Sequence, residues 1–146
     1  MVLTKYITDF DSFSEFLMGI LVIGVFAGLG EEFLFRGVVQ PKLHAYTGNA
    51  HLGIWITAFI FSAIHLQFYG FFPRMLLGAI FGYLYLYSGS LIYPIVAHIL
   101  NNAVTVILVY LNKLGKLEFN IEETEQVSVP IALLGLVILV VGLRLF

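Results

Sequence analysis

The chain has 146 residues, of which 60% are hydrophobic and only 11% charged, with a formal net charge of -2. An ordinary soluble domain carries about 25% charged residues. So few charges cannot cover this much Leu, Ile, Phe and Val in a soluble fold of this size, so the composition predicts a single membrane domain over residues 1–146. The slightly acidic balance excludes a nucleic-acid partner. With no cysteine, the chain has no disulfide, no thiol nucleophile and no thiolate metal site.

The fold class expected is all-α, a polytopic transmembrane bundle of about five spans, because long apolar runs alternate with short polar breaks and no period-two pattern suggests a barrel. Residues 1–13 hold one Lys and two Asp and lack the basic region and apolar core of a signal peptide. The first span is expected over 16–39, ended by Pro41, Lys42 and the Thr47-Gly48-Asn49 turn. The second runs over 51–67. The third, over 72–87, opens near Pro73 and stops at Ser88-Gly89-Ser90. The fourth covers 91–111, with Pro94 in its first turn, where a missing N–H costs little. A polar connector follows over 112–126, and a uniformly apolar fifth span over 129–145.

Gly24 and Gly28 are four apart, as are Gly78 and Gly82, a spacing that lets membrane helices approach closely. Tyr83, Tyr85, Tyr87 and Tyr93 fit an interfacial aromatic belt. Lys5, Arg74, Lys113 and Lys116 fall on one side of a five-span arrangement and Lys42 and Arg144 on the other, so the positive-inside rule puts the N-terminus in the cytoplasm.

Once loops are set aside, strongly polar residues remain at a few span positions: Glu31, Glu32 and Arg36 on the first, His65 on the second, and His98, Asn101 and Asn102 on the fourth. A charge at the bilayer centre costs about 3 kcal/mol on insertion scales, so such residues mark a shared pocket inside the bundle. Glu32 and Arg36 stand at i and i+4 and can pair on one face. Glu31 points about 100° away and is left to act as a base. His98 and Asn102 share a face and can both donate to a developing oxyanion. Phe61 and His65 have the same spacing, which lets the ring pack beside the imidazole. Structural readings compete at each position: Glu32–Arg36 as interhelical glue, His65 as an interfacial residue, His98 as a cap on a neighbouring carbonyl. For Asn101 an interhelical hydrogen bond is the preferred reading. His44 and His51 flank a turn and are expected at the surface. No serine lies in a nucleophile-elbow context, and the H-E-x-x-H zinc motif is absent.

In order, Glu31-Glu32-Phe33-Leu34-Phe35-Arg36 looks like an E-E-x-x-x-R motif, Phe61-Ser62-Ala63-Ile64-His65 like F-x-x-x-H, and His98-Ile99-Leu100-Asn101-Asn102 like H-x-x-x-N. Together they resemble the CPBP (Abi) family of intramembrane proteases, which includes the type II CAAX prenyl endopeptidases. The likeness spans about half the chain and places a protease-like core at about 16–111. It implies hydrolysis of a peptide bond in a hydrophobic or lipid-anchored peptide. On it, Glu31 activates water with His65 beside it, Glu32 and Arg36 support, Phe61 packs, and His98 with Asn102 forms the oxyanion site. Glu31, His65 and His98 could instead supply the three ligands of a catalytic zinc; Asn102, one turn from His98, suits an oxyanion better than a zinc site and tips the reading towards a metal-free glutamate mechanism.

Members of that family carry several helices ahead of the first motif, whereas fifteen residues precede position 16 here. A homo-oligomer is one way to close the pocket against lipid. The expected location is a multi-pass place in the membrane, the plasma membrane if the source is a bacterium. Two other functions compete. A non-catalytic membrane scaffold or bacteriocin immunity protein would keep its effect without Glu31. A proton or metal-ion carrier would need a polar path through the whole span, which the apolar far halves of the helices oppose.

Overall fold

The structure, a computed structural model, describes residues 10–117. These form four helices with no strand among the described residues: α1 (Phe13–Thr47), α2 (Ala50–Ala63), α3 (Phe71–Ser88) and α4 (Ile92–Lys113). The expected fifth span and most of the connector lie outside the described residues. The chain is thus an all-helical bundle, and two of its helices, α1 and α4, are long and apolar enough to cross a membrane.

Local chemistry sets the helix ends. Ser12 caps α1, its hydroxyl accepting from the Glu15 amide. Asn49 caps α2 by accepting from the Leu52 amide at 3.1 Å, which satisfies one of the free N–H groups of a first turn. Gly48 and Gly89, both at φ 66°, close α1 and α3 in the left-handed conformation that glycine adopts without strain.

Helix α1 continues eight residues beyond the expected end at position 39. Pro41 does not stop it, because a wider π-type turn over Phe35–Val39 precedes the proline, with the Gln40 amide reaching back five residues to the Phe35 carbonyl. That wider turn relieves the clash that a proline ring makes with the preceding turn. A second π-type turn covers Ile20–Phe26. Helix α2 ends at Ala63, four residues short of the expected 67, so His65 sits in the turn beyond it, next to Leu66 at φ 53°.

Helix α1 packs against all three others. Small residues govern each crossing. A Cβ added at Gly28 would come 3.2 Å from the Ile99 backbone nitrogen, one at Gly53 would come 2.9 Å from the His44 backbone nitrogen, and one at Gly78 would come 3.1 Å from the Phe61 ring. The Gly24/Gly28 pair therefore lines the α1–α4 crossing, and Gly78/Gly82 faces α2 and α1. The buried core is small and includes Phe35, Ile54, Ala58, Phe61, Ala79 and Phe81. Large apolar side chains such as Phe26, Phe33, Phe59, Leu76 and Val104 point outward from all four helices, as expected where lipid is the solvent.

The Gly53→Ala protein should be destabilised by about 1–3 kcal/mol, because backbone rather than a flexible side chain must move. Gly30→Ala, with nothing within 4 Å of the new methyl, should be neutral or slightly stabilising. Unfolding of both in mixed micelles by graded SDS, read by circular dichroism, checks the contrast.

Candidate active site

Buried polar side chains of α1 and α4 meet at one carboxylate oxygen, with a backbone carbonyl of α3 beside them. On α1, Glu32 and Arg36 are both fully buried, and Arg36 Nη1 donates to Glu32 Oε1 at 2.6 Å. Arg36 Nη2 donates to the Gly78 carbonyl at 2.7 Å. The guanidinium also lies over the Phe61 and Phe81 rings, 5.1 and 5.5 Å from their centroids. A desolvated cation needs such partners on every side.

From α4, the buried His98 places Nδ1 2.6 Å from Glu32 Oε1, so one carboxylate oxygen accepts from both Arg36 and His98. This fixes Nδ1 as the donor nitrogen and turns Nε2 the other way. Nε2 faces Glu31 Oε2 at 3.6 Å, too far for a direct hydrogen bond. Phe81 stacks on the imidazole with ring centroids 5.0 Å apart, and Phe61 meets it edge-on at 5.9 Å. The Glu31 side chain is 30% exposed and Glu32 is at 0%, so two adjacent carboxylates occupy opposite environments.

His65 approaches from the end of α2. Its Nδ1 lies 2.7 Å from the Phe61 carbonyl, to which it donates, and its ring packs against Phe61 with centroids 5.0 Å apart. Phe61 thus stands between His65 and His98. Asn102 lies one turn along α4 from His98 and donates from Nδ2 to the Ile23 carbonyl at 3.1 Å, inside the first π-type turn of α1. Asn101, expected to bridge helices, is exposed, and its side chain donates to the neighbouring Asn102 Oδ1 at 3.3 Å; the interhelical amide is Asn102. His44 and His51 are exposed as expected, and His51 Nδ1 meets the Tyr83 hydroxyl at 3.0 Å.

Three participants were not singled out from the sequence. Phe81 is one; the patterning of α3 gave no sign that it would cover an imidazole. Gln40 is buried and donates from Nε2 to the Gly82 carbonyl at 3.1 Å. Its signal was present, since 32, 36 and 40 mark one helix face at successive turns. Arg74, in the first turn of α3, donates from Nη2 to Gln67 Oε1 at 2.5 Å. Among the described residues no three His, Asp or Glu side chains are gathered so as to hold a metal ion. Glu31, His65 and His98 as arranged do not make the three-ligand set that zinc needs.

The family model described as type II CAAX prenyl endopeptidase Rce1-like matches residues 13–104, more than half of the chain. The chain belongs to that family, a membrane-embedded protease family. It is also 29% identical over 89 residues to the uncharacterized protein YpbD of Bacillus subtilis (strain 168), a stretch that covers 58% of this chain and 42% of that protein. The chain therefore spans about two fifths of that relative's length. No solved structure matches it significantly.

Replacing Arg36 with Leu should destabilise the bundle by about 3–5 kcal/mol, because Glu32 would be left buried without its cation. The Glu32→Leu/Arg36→Leu double variant should recover part of that loss. SDS titration of the two variants beside the wild type measures the difference.

Proposed function

From its membership of the Rce1-like family and the geometry of this site, we propose that the chain is an intramembrane endopeptidase with Glu31 as the base that activates water. The observation that carries this reading is the division of labour between the two glutamates. Glu32 is enclosed at 0% exposure with Arg36 and His98 both on its Oε1, whereas the Glu31 carboxylate makes no hydrogen bond among the described residues and reaches the surface of the site next to His98 Nε2. A separation of 3.6 Å between Oε2 and Nε2 leaves both atoms able to hold the same water at ordinary hydrogen-bond lengths of about 2.8 Å.

In the proposed step, that water gives a proton to Glu31 and its oxygen attacks the scissile carbonyl. Collapse of the tetrahedral intermediate breaks the C–N bond as the proton passes to the leaving amine. His65, held by the Phe61 carbonyl, keeps Nε2 free to assist that transfer. Glu32 and Arg36 orient His98, and Phe61 and Phe81 keep its ring in place. Asn102 ties α4 to α1 behind it.

The substrate class is a hydrophobic or lipid-anchored peptide that enters from the bilayer, since the helices around the site present apolar side chains outward. The chain is proposed to be multi-pass, with α1 and α4 crossing the membrane. Helix α2, at 14 residues and about 1.5 Å per residue, is shorter than the hydrocarbon core and delivers His65 to the site from within.

Purified protein in lipid should cleave a quenched hydrophobic peptide library, and Glu31→Gln should lower the rate by at least about 100-fold. Chelators should leave the rate unchanged, since the reading assigns no step to a metal. Equal cleavage by wild type and Glu31→Gln would remove Glu31 from the reaction. Lack of cleavage in both, with a protective effect on cells retained, would favour the immunity-protein alternative.

A further inference from the structure

Helices α1 and α3 run parallel and in register. Arg36 donates to the Gly78 carbonyl and Gln40 to the Gly82 carbonyl, so each step of four on α1 matches a step of four on α3. The same register, one turn earlier, sets Glu32 opposite Arg74. At that rung α3 offers a guanidinium instead of a glycine carbonyl, at the level of the two glutamates. Of the two glutamates, Glu31 is the one that acts on Arg74 electrostatically.

The Arg74 side chain is half-buried and folded back towards the α2–α3 turn. Nη2 donates to Gln67 Oε1 at 2.5 Å, and a Cβ added at Gly70 would come 3.1 Å from the same nitrogen, so the guanidinium lies close against the Gly70 backbone. Nη1 is buried with no hydrogen-bond partner among the described residues. A buried N–H of a charged group left unpaired is costly, and a catalytic role is one explanation for it. The Glu31 carboxylate interacts with Arg74 electrostatically. His98 Nδ1 is engaged with Glu32, and Asn102 Nδ2 gives one of its two N–H groups to the Ile23 carbonyl.

We propose that Arg74 is a further catalytic residue, whose Nη1–H donates to the scissile carbonyl oxygen and holds the negative charge that develops there. The inference rests on the protease reading above. Water loses a proton to Glu31 and forms the new O–C bond. The carbonyl π electrons move to the oxygen held by Arg74, and return as the C–N bond breaks and Glu31 gives its proton to the leaving amine. A donor that strengthens its hold as charge develops acts on kcat more than on KM.

The test uses the full chain in lipid. Arg74→Gln should lower kcat by about 100-fold with KM within about threefold, the loss typical of an oxyanion donor. Its affinity for a phosphinate peptide, whose tetrahedral anionic centre imitates the intermediate, should fall by a similar factor, while affinity for a ketomethylene analogue of the ground state stays close to wild type. Arg74→Lys, which keeps the charge but not the fork that serves Gln67 and substrate together, should fall between them, and it serves as the readout if Arg74→Gln does not fold. An Arg74→Gln protein with kcat within threefold of wild type, or with undiminished phosphinate affinity, overturns the inference while an inactive Glu31→Gln leaves the protease reading intact. A wild type that neither cleaves nor binds the phosphinate overturns both.

Discussion

The burial of Arg36 constrains everything else. A guanidinium with no exposure inside a bundle of apolar helices must find its partners there, because neither lipid nor distant water can supply them. Its solution recruits one group from nearly every element: Glu32 from its own helix, a backbone carbonyl from α3, and rings from α2 and α3. Those contacts fix how the helices sit. His98 then enters from α4 as the second donor to the same carboxylate oxygen, so the cation that organises the packing also orients the imidazole next to Glu31. Stability and candidate chemistry depend on the same few atoms.

Glycines make this arrangement accessible. An α-helix normally hides its carbonyls beneath its own side chains. At Gly78 and Gly82 the surface is bare, and a side chain from α1 reaches the carbonyl directly. The spacing of four on both helices turns two separate bonds into a register, and with no Cβ at 78 the Phe61 ring can lie close enough to face Arg36. The small-residue spacing seen in the sequence is therefore more than a close-packing device; it supplies acceptors to a buried cation and to Gln40. The π-type turns act in the same way on α1, where the Ile23 carbonyl receives Asn102.

Much of this was legible in the sequence because lipid makes polar residues conspicuous. Glu31, Glu32, Arg36 and His98 stood out against apolar neighbours, and the Glu32–Arg36 pairing followed from helical spacing. The helical class followed from composition. Residues whose role depends on packing were harder to find. Phe81 is one apolar residue among many until α4 places His98 against it. Arg74 counted only towards membrane orientation because the sequence gives no register between α1 and α3; only the two carbonyl bonds reveal it. The end of α1 was misread at Pro41, since the π-type turn that accommodates a proline has no simple pattern in residue types. The roles of Asn101 and Asn102 turned on which of two adjacent amides faces α1, a rotation that residue identity does not specify.

The adjacency of Glu31 and Glu32 has a physical logic of its own. Two carboxylates on neighbouring residues point about 100° apart on a helix, so they cannot share one environment. One turns to the interior, where Arg36 and His98 compensate its charge. The other is carried to the boundary of the packed core, 30% exposed and without a direct hydrogen bond. Both buried donors converge on one oxygen of Glu32, and its other oxygen is enclosed without a partner among the described residues, so the accessible carboxylate is supplied by the neighbouring residue. Placing the pair on one continuous helix also fixes their separation whatever the bilayer does to the bundle, so the base stays a set distance from the imidazole that its neighbour holds.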